Sequence, residues 1–205
     1  KMMEKTGLTR LENYMGGEWV RSESENVKPI YDPGRGEVIG YVPFSLESEI
    51  SRAVDVADEA FLKWSETPLP QRLKYLFRMR RMLEEHFEEL ARINTINHGK
   101  TLEESRGDLV RAMENVDMAI AAAQTLGKGE SLEQVAEGVD EMMVKEPLGV
   151  FSIISPFNFP IMIPFWFIPY AIVLGNTVVV KPSEITPLPM VYVVRLIEKE
   201  VQLPP

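Results

Sequence analysis

Two short apolar runs, residues 150–154 and 177–180, constrain this chain more than anything else in it. Each is rich in β-branched residues and bounded by Pro or Gly, the pattern of a parallel strand buried on both faces. Residues 161–174 between them are long enough for a crossover helix. Pro164 lies near its start, where a missing N–H costs little, and Gly175-Asn176 closes it. Pro169 is an internal breaker expected to bend it. Strand, helix and strand predict a right-handed β-α-β unit, and with it an α/β chain built on a doubly wound sheet. In such sheets ligands bind beyond the carboxyl ends of the strands. The polar residues at those ends are Ser155 and Asn158 after the first strand, and Lys181, Ser183 and Glu184 after the second.

The rest of the composition narrows the function by exclusion. The 205 residues hold no cysteine, which removes disulfides, Cys-rich zinc sites and a Cys nucleophile from this chain. The net charge of −9 argues against nucleic acid and anionic membranes as general partners. Residues 150–174 are apolar but broken by Ser155, Asn158 and four prolines, a poor membrane span. Lys1-Met2-Met3-Glu4-Lys5 has no apolar core behind it, so no targeting pattern opens the chain and a cytoplasmic location is the default expectation. His86 and His98 are the only histidines and stand in no metal-ligand spacing; both read as helix-end packing.

Ahead of the strand pair, residues 13–20 and 30–42 read as short strands turning at Gly16-Gly17 and Asp32-Pro33-Gly34, with Trp19 packed on the core. Ser45 is the expected N-cap of a first helix, whose apolar face is Ile50, Val54, Ala57, Phe61 and Trp64. Pro68 and Pro70 start a second helix with a buried stripe of Leu73, Leu76, Phe77, Leu83, Phe87, Leu90 and Ile93, ending at Gly99. Its basic run Arg72, Lys74, Arg78, Arg80 and Arg81 is followed by Glu84, Glu85, Glu88 and Glu89, which makes it a mixed-charge solvated face. A third helix spans residues 102–126 with Leu109, Met113, Val116 and Ile120 inward. Residues 139–145 predict a strand, and residues 191–201 a last helix opened by Pro187. Two parallel strands alone do not make a lasting sheet, so the chain is expected to be part of a larger polypeptide.

The motif Pro156-Phe157-Asn158-Phe159-Pro160, followed by Gly175-Asn176-Thr177 and Lys181-Pro182-Ser183-Glu184, resembles the cofactor-binding core of the NAD(P)-dependent aldehyde dehydrogenase superfamily. The resemblance runs from about Tyr14 onward and covers only the N-terminal part of such an enzyme. It implies that residues 1–205 are the first part of a Rossmann-like NAD-binding domain: helices over about 45–127, an oligomerisation strand over about 139–146, and the start of the nucleotide-binding core over about 148–205. The catalytic domain is then absent from this chain, and a homo-oligomer, dimer or tetramer, is expected of the full-length enzyme. Neither G-x-G-x-x-G nor G-x-x-x-x-G-K-[ST] occurs; the family's own glycine-bearing turn lies further along.

The same resemblance assigns roles. Asn158 would donate its side-chain N–H to the oxyanion of a thiohemiacetal, where the chemistry needs a neutral, fixed donor; on its own, the residue would read as a turn-stabilising Asn. Lys181 and Glu184 would bind the adenosine ribose, and a carboxylate there favours NAD over NADP; a lone Lys-Pro-Ser-Glu would read as a solvated pair. Ile154, Ser155, Pro156 and Phe157 would wall the cofactor, and Ser183 belongs to the same set. Gly99-Lys100-Thr101-Leu102 and Gly107-Asp108-Leu109-Val110-Arg111 look more like the methylmalonate-semialdehyde dehydrogenase branch. Those enzymes pass an acyl group to coenzyme A with loss of CO₂. There an Arg at position 111 would hold the substrate carboxylate by two parallel bonds. Its alternative is a surface pairing with Asp108, Glu114 or Asp117. Two other functions stay open: a semialdehyde dehydrogenase independent of coenzyme A, and a truncated, non-catalytic relative serving as an interaction module.

Overall fold

A computed structural model describes residues 10–204. The opening segment read above for targeting, and Pro205, lie outside the described residues. The expected β-α-β unit forms. Strands β7 (Val150–Ile154) and β8 (Thr177–Lys181) pair in parallel, with Val150 opposite Thr177 and Ile154 opposite Lys181. Asn176, buried at the entry to β8, explains the tight start of the pair. Its Oδ1 accepts from the backbone N–H of Leu148 at 2.7 Å and of Gly149 at 3.1 Å, and its Nδ2 donates to Ala171 O at 3.3 Å. Gly175 has a φ of +92°, and a Cβ there would collide with the Arg72 guanidinium, so only glycine fits.

Before this unit the chain lays down two small hairpins. Strands β1 (Asn13–Met15) and β2 (Glu18–Val20) form the first, β3 (Val27–Asp32) and β4 (Glu37–Pro43) the second. Helices α1 (Glu47–Trp64), α2 (Leu69–Glu85), α3 (Phe87–His98) and α4 (Leu102–Leu126) follow. A hairpin of β5 (Glu130–Ala136) and β6 (Val139–Met143) leads into β7. Short helices α5 (Met162–Phe165) and α6 (Ile168–Val173) make the crossover, and α7 (Leu188–Leu196) runs into a π-helical turn, Ile197–Val201. The core gathers Leu76, Met79 and Leu83 of α2, Leu109 and Val116 of α4, Ile153 of β7, Phe165 of the crossover and Val193 of α7.

Several expectations need correction. Ser45 is not the cap of α1: its hydroxyl accepts from Asn13 Nδ2 at 2.9 Å, and the cap position falls to Leu46, whose N–H is taken by Glu49 at 2.7 Å. Ile50 and Val54 of the predicted stripe stay exposed, because α1 meets the strand pair through its second half. There Thr177 Oγ1 donates to Ala57 O and Trp64 Nε1 to Ile172 O. The second predicted helix divides into α2 and α3 at His86, Phe77 turns outward, and Met79 and Met82 take the core positions. Arg72 leaves the solvated face and lies against Gly175, whereas Arg80 and Arg81 pair with acids as expected. Trp19 packs on the C-terminal helix, donating to Glu198 at 2.8 Å under the Arg195 guanidinium, and does not reach the core. The crossover breaks at Trp166 and Phe167; Pro169 opens the second piece at a position that needs no N–H. Strand β5 was not anticipated, since its residues carry neither alternation nor a β-branched run.

The divide at His86 is held electrostatically. Its Nε2 lies 2.8 Å from Glu200 Oε1 and its Nδ1 3.3 Å from Glu89 Oε2, so the ring ties the α2–α3 corner to the C-terminal turn. Burial works against protonation, but the two carboxylates outweigh it and raise the pKa above the ordinary histidine value. A raised folded-state pKa gives stability that is complete below about pH 6.5 and is lost as pH rises through the folded value. The melting temperature of the native protein should therefore exceed that of His86→Gln by more at pH 6 than at pH 8.5. An equal gap at both pH values would exclude a charged His86.

Candidate active site

The site forms where β7 and β8 end together. The parallel ladder runs one residue past β7: Ser155 N–H donates to Lys181 O at 3.1 Å, and Ser155 Oγ reaches the same carbonyl at 3.4 Å. That bond places the wall of Ile154, Ser155, Pro156 and Phe157 beside the turn carrying Lys181, Ser183 and Glu184. Ser155 is buried, but Ile154 is 73% and Phe157 50% exposed, an open apolar edge at the sheet end. Ser183 is buried and accepts from Ile185 N–H at 3.2 Å, which tightens the turn after β8. Lys181 Nζ lies 3.5 Å from Glu184 Oε2. The backbone N–H of Glu184 itself, and then the Lys181 ammonium, hold the Glu184 carboxyl below the usual carboxylate range. An ammonium and an ionised carboxylate thus face outward at the end of an apolar wall, a set able to hold a hydroxyl-bearing ring.

Asn158 follows the wall. Its side chain is exposed and makes no hydrogen bond among the described residues, while its backbone is tied down. Asn158 O accepts from Lys100 Nζ at 2.7 Å, and Phe157 O accepts from Thr186 Oγ1 at 3.0 Å. His98, the last residue of α3, lies against the Phe157 ring with centroids 6.4 Å apart. Burial, and then the Lys100 charge, push the His98 pKa down, so the ring is neutral at pH 7. Phe157, His98 and Glu184 share a shallow cleft of about 630 Å³ with Tyr31 and Lys28 of the second hairpin. Asn97 closes its floor by donating to Tyr31 O and Ile185 O, each at 3.3 Å.

Arg111 makes no hydrogen bond or ion pair with these groups among the described residues. It is exposed on α4 and pairs with Glu114 at 2.7 Å. The other two candidate partners are engaged elsewhere: Asp117 with Arg80, and Asp108 in the interior with Lys100.

Sequence reasoning did not single out Lys100, Asp108, Asn94 or Thr186. For Asp108 a signal was available. Residues 105, 108, 109, 112 and 116 recur at helical spacing, so the carboxylate sits on the buried face of α4. A charged residue on an apolar stripe demands a partner. Here it finds Lys100 at 3.5 Å, Asn94 Nδ2 at 2.8 Å and the Met162 N–H at 2.6 Å.

The pattern of the Aldehyde dehydrogenase family covers residues 19–205, and the chain belongs to that family. Among its relatives is malonate-semialdehyde dehydrogenase 1 of Geobacillus thermodenitrificans, 46% identical over 183 residues, or 89% of this chain and 38% of the relative. Among solved structures, methylmalonate-semialdehyde dehydrogenase from Oceanimonas doudoroffii superposes with a TM-score of 0.90 at 35% identity over 96% of this chain and 40% of that one. A Staphylococcus aureus betaine aldehyde dehydrogenase variant in complex with NAD⁺ gives 0.88 at 35% identity, covering 97% and 40%. The chain thus spans about two fifths of the length of these relatives. No helix among the described residues is long and apolar enough to cross a membrane.

Proposed function

We propose that these residues form the first part of the NAD-binding domain of a malonate- or methylmalonate-semialdehyde dehydrogenase that acylates coenzyme A. The observation that carries the reading is the meeting, at one sheet end, of an open apolar wall, the Lys181–Glu184 pair and an exposed Asn158 amide. The wall fits the flat body of NAD⁺, and an ionised Glu184 suits two ribose hydroxyls while repelling a phosphate. When bound, NAD⁺ supplies the acceptor for hydride. Ile154 and Pro156 would exclude water along it, with Lys181 and Glu184 fixing the ribose. The Asn158 N–H would meet the negative charge that develops on the aldehyde oxygen. Arg111 would release Glu114 to take the carboxylate of the semialdehyde. The exposed β5–β6 hairpin, of mixed apolar and acidic residues with Met142 at 74% and Leu132 at 58% exposure, would join subunits.

The reading is tested by incubating the full-length source polypeptide with malonate semialdehyde and NAD⁺, with and without coenzyme A. NADH formation that depends on coenzyme A is expected. Equal turnover without it would point to the hydrolytic alternative, and no turnover with any semialdehyde would overturn the enzyme reading. The 205 residues alone contain no Cys to attack the carbonyl, so they should form no NADH in a single-turnover mix.

A further inference from the structure

We infer that Lys100 and Asp108 are positioning residues for the Asn158 amide, a role that rests on the reading of Asn158 just given. The two side chains grip opposite ends of one turn. Lys100 Nζ donates to Asn158 O at 2.7 Å, and Asp108 Oδ1 accepts from Met162 N–H at 2.6 Å. Between them lies an ion contact of 3.5 Å. Lys100 also sits 4.6 Å over the Phe159 ring, and Asn94 Nδ2 holds the other carboxylate oxygen of Asp108 at 2.8 Å. Every residue from Asn158 to Met162 is therefore bracketed by one charged pair standing on the α3–α4 corner.

The pair is an expensive device for the purpose of stability. Its side chains are 6% and 0% exposed, and desolvating two such charges consumes most of what their attraction returns. Its geometric consequence is sharper. With the Asn158 carbonyl held by Lys100 and the Phe157 carbonyl by Thr186, the peptide planes on both sides of the Asn158 Cα are fixed, and with them its Cα–Cβ direction. The side chain itself has no hydrogen-bond partner among the described residues, so the backbone is what sets the point and direction from which the amide projects. A donor built this way loses its aim when the backbone shifts, and displacement by about 1 Å can lower a rate on the order of 10²-fold.

The test is a double-mutant cycle in the full-length polypeptide, reading kcat at saturating NAD⁺ and semialdehyde together with NAD⁺ affinity by fluorescence. Lys100→Met should lower kcat on the order of 10- to 100-fold and leave KM and NAD⁺ binding within about threefold. In the Asn158→Ala background the same change should add little, because the donor it aims is gone. Where Lys100→Met does not fold, Lys100→Arg retains a charge opposite Asp108, displaces the carbonyl contact and should show the same lack of additivity. Losses that multiply, or an unchanged kcat in Lys100→Met, would overturn the inference while leaving Asn158 in place. An unchanged kcat in Asn158→Ala would overturn the role of Asn158 and the inference with it.

Discussion

Asn158→Ala in the full-length polypeptide should slow NADH formation on the order of 10²–10³-fold, the usual loss when one oxyanion donor is removed from a preorganised site. The substitution touches little else. Asn158 contributes only its backbone carbonyl to the fold, and alanine keeps that carbonyl on Lys100. Its side chain is exposed, so no cavity opens and no buried partner is left unpaired. Folding, melting temperature and NAD⁺ affinity should therefore stay close to the parent values while the chemical step falls. Asn158→Asp should fall at least as far, since a carboxylate repels the charge that the amide attracts. Single-turnover rates at saturating cofactor measure both. A loss smaller than about fivefold in Asn158→Ala would remove this residue from the chemistry.

Asp108→Leu should cost about 3–5 kcal/mol of stability, the range for breaking one side of a buried ion pair. Three donors lose their acceptor together: Lys100 Nζ, Asn94 Nδ2 and the Met162 N–H. Asn94 Oδ1 is already buried without a donor among the described residues, so losing Asp108 takes away the one hydrogen bond shown for that side chain. Burial pushes the Asp108 carboxyl above the usual aspartate range, with the Lys100 charge pulling against it. Ionising a group whose folded pKa is raised works against folding. Its contribution is thus greatest below about pH 4 and is lost as pH rises through the folded value. The pair is consequently a weak source of stability at neutral pH, yet removing half of it is severe. Lys100→Met combined with Asp108→Leu should recover much of the loss, because no charge is then left alone. Urea midpoints of the two single variants and the double variant decide the matter. A double variant as unstable as the sum of its parts would contradict the pairing.

Much of the fold was legible in local pattern. The strands β7 and β8 declared themselves as β-branched runs between Pro and Gly, and α4 began and ended at the residues its spacing indicated. That the candidate residues in the two strand-end turns lie together was legible for the same reason, since a β-α-β unit brings those turns together wherever it occurs. What stayed hidden depended on partners distant in the chain. No Pro or Gly near His86 marks a helix break, and one of the two carboxylates that hold the corner, Glu200, lies 114 residues on. Phe77 and Met79 are both apolar, and only the packing of α2 on α4 and α6 chooses Met79 for the interior. Strand β5 exists because β6 pairs with it, and its own residues carry no strand signal.

Sequence alone determined the α/β character, the parallel strand pair and the identity of the groups at its carboxyl ends, because periodicity and turn chemistry act over a few residues. Tertiary structure alone decided how those groups are held. The hold of Lys100 on Asn158 O, the hold of Asp108 on the Met162 N–H and the Asn97 bridge between hairpin and turn all follow from which helix faces which loop. A buried charge accepts whichever partner the packing presents, and that choice is made between elements far apart in the chain.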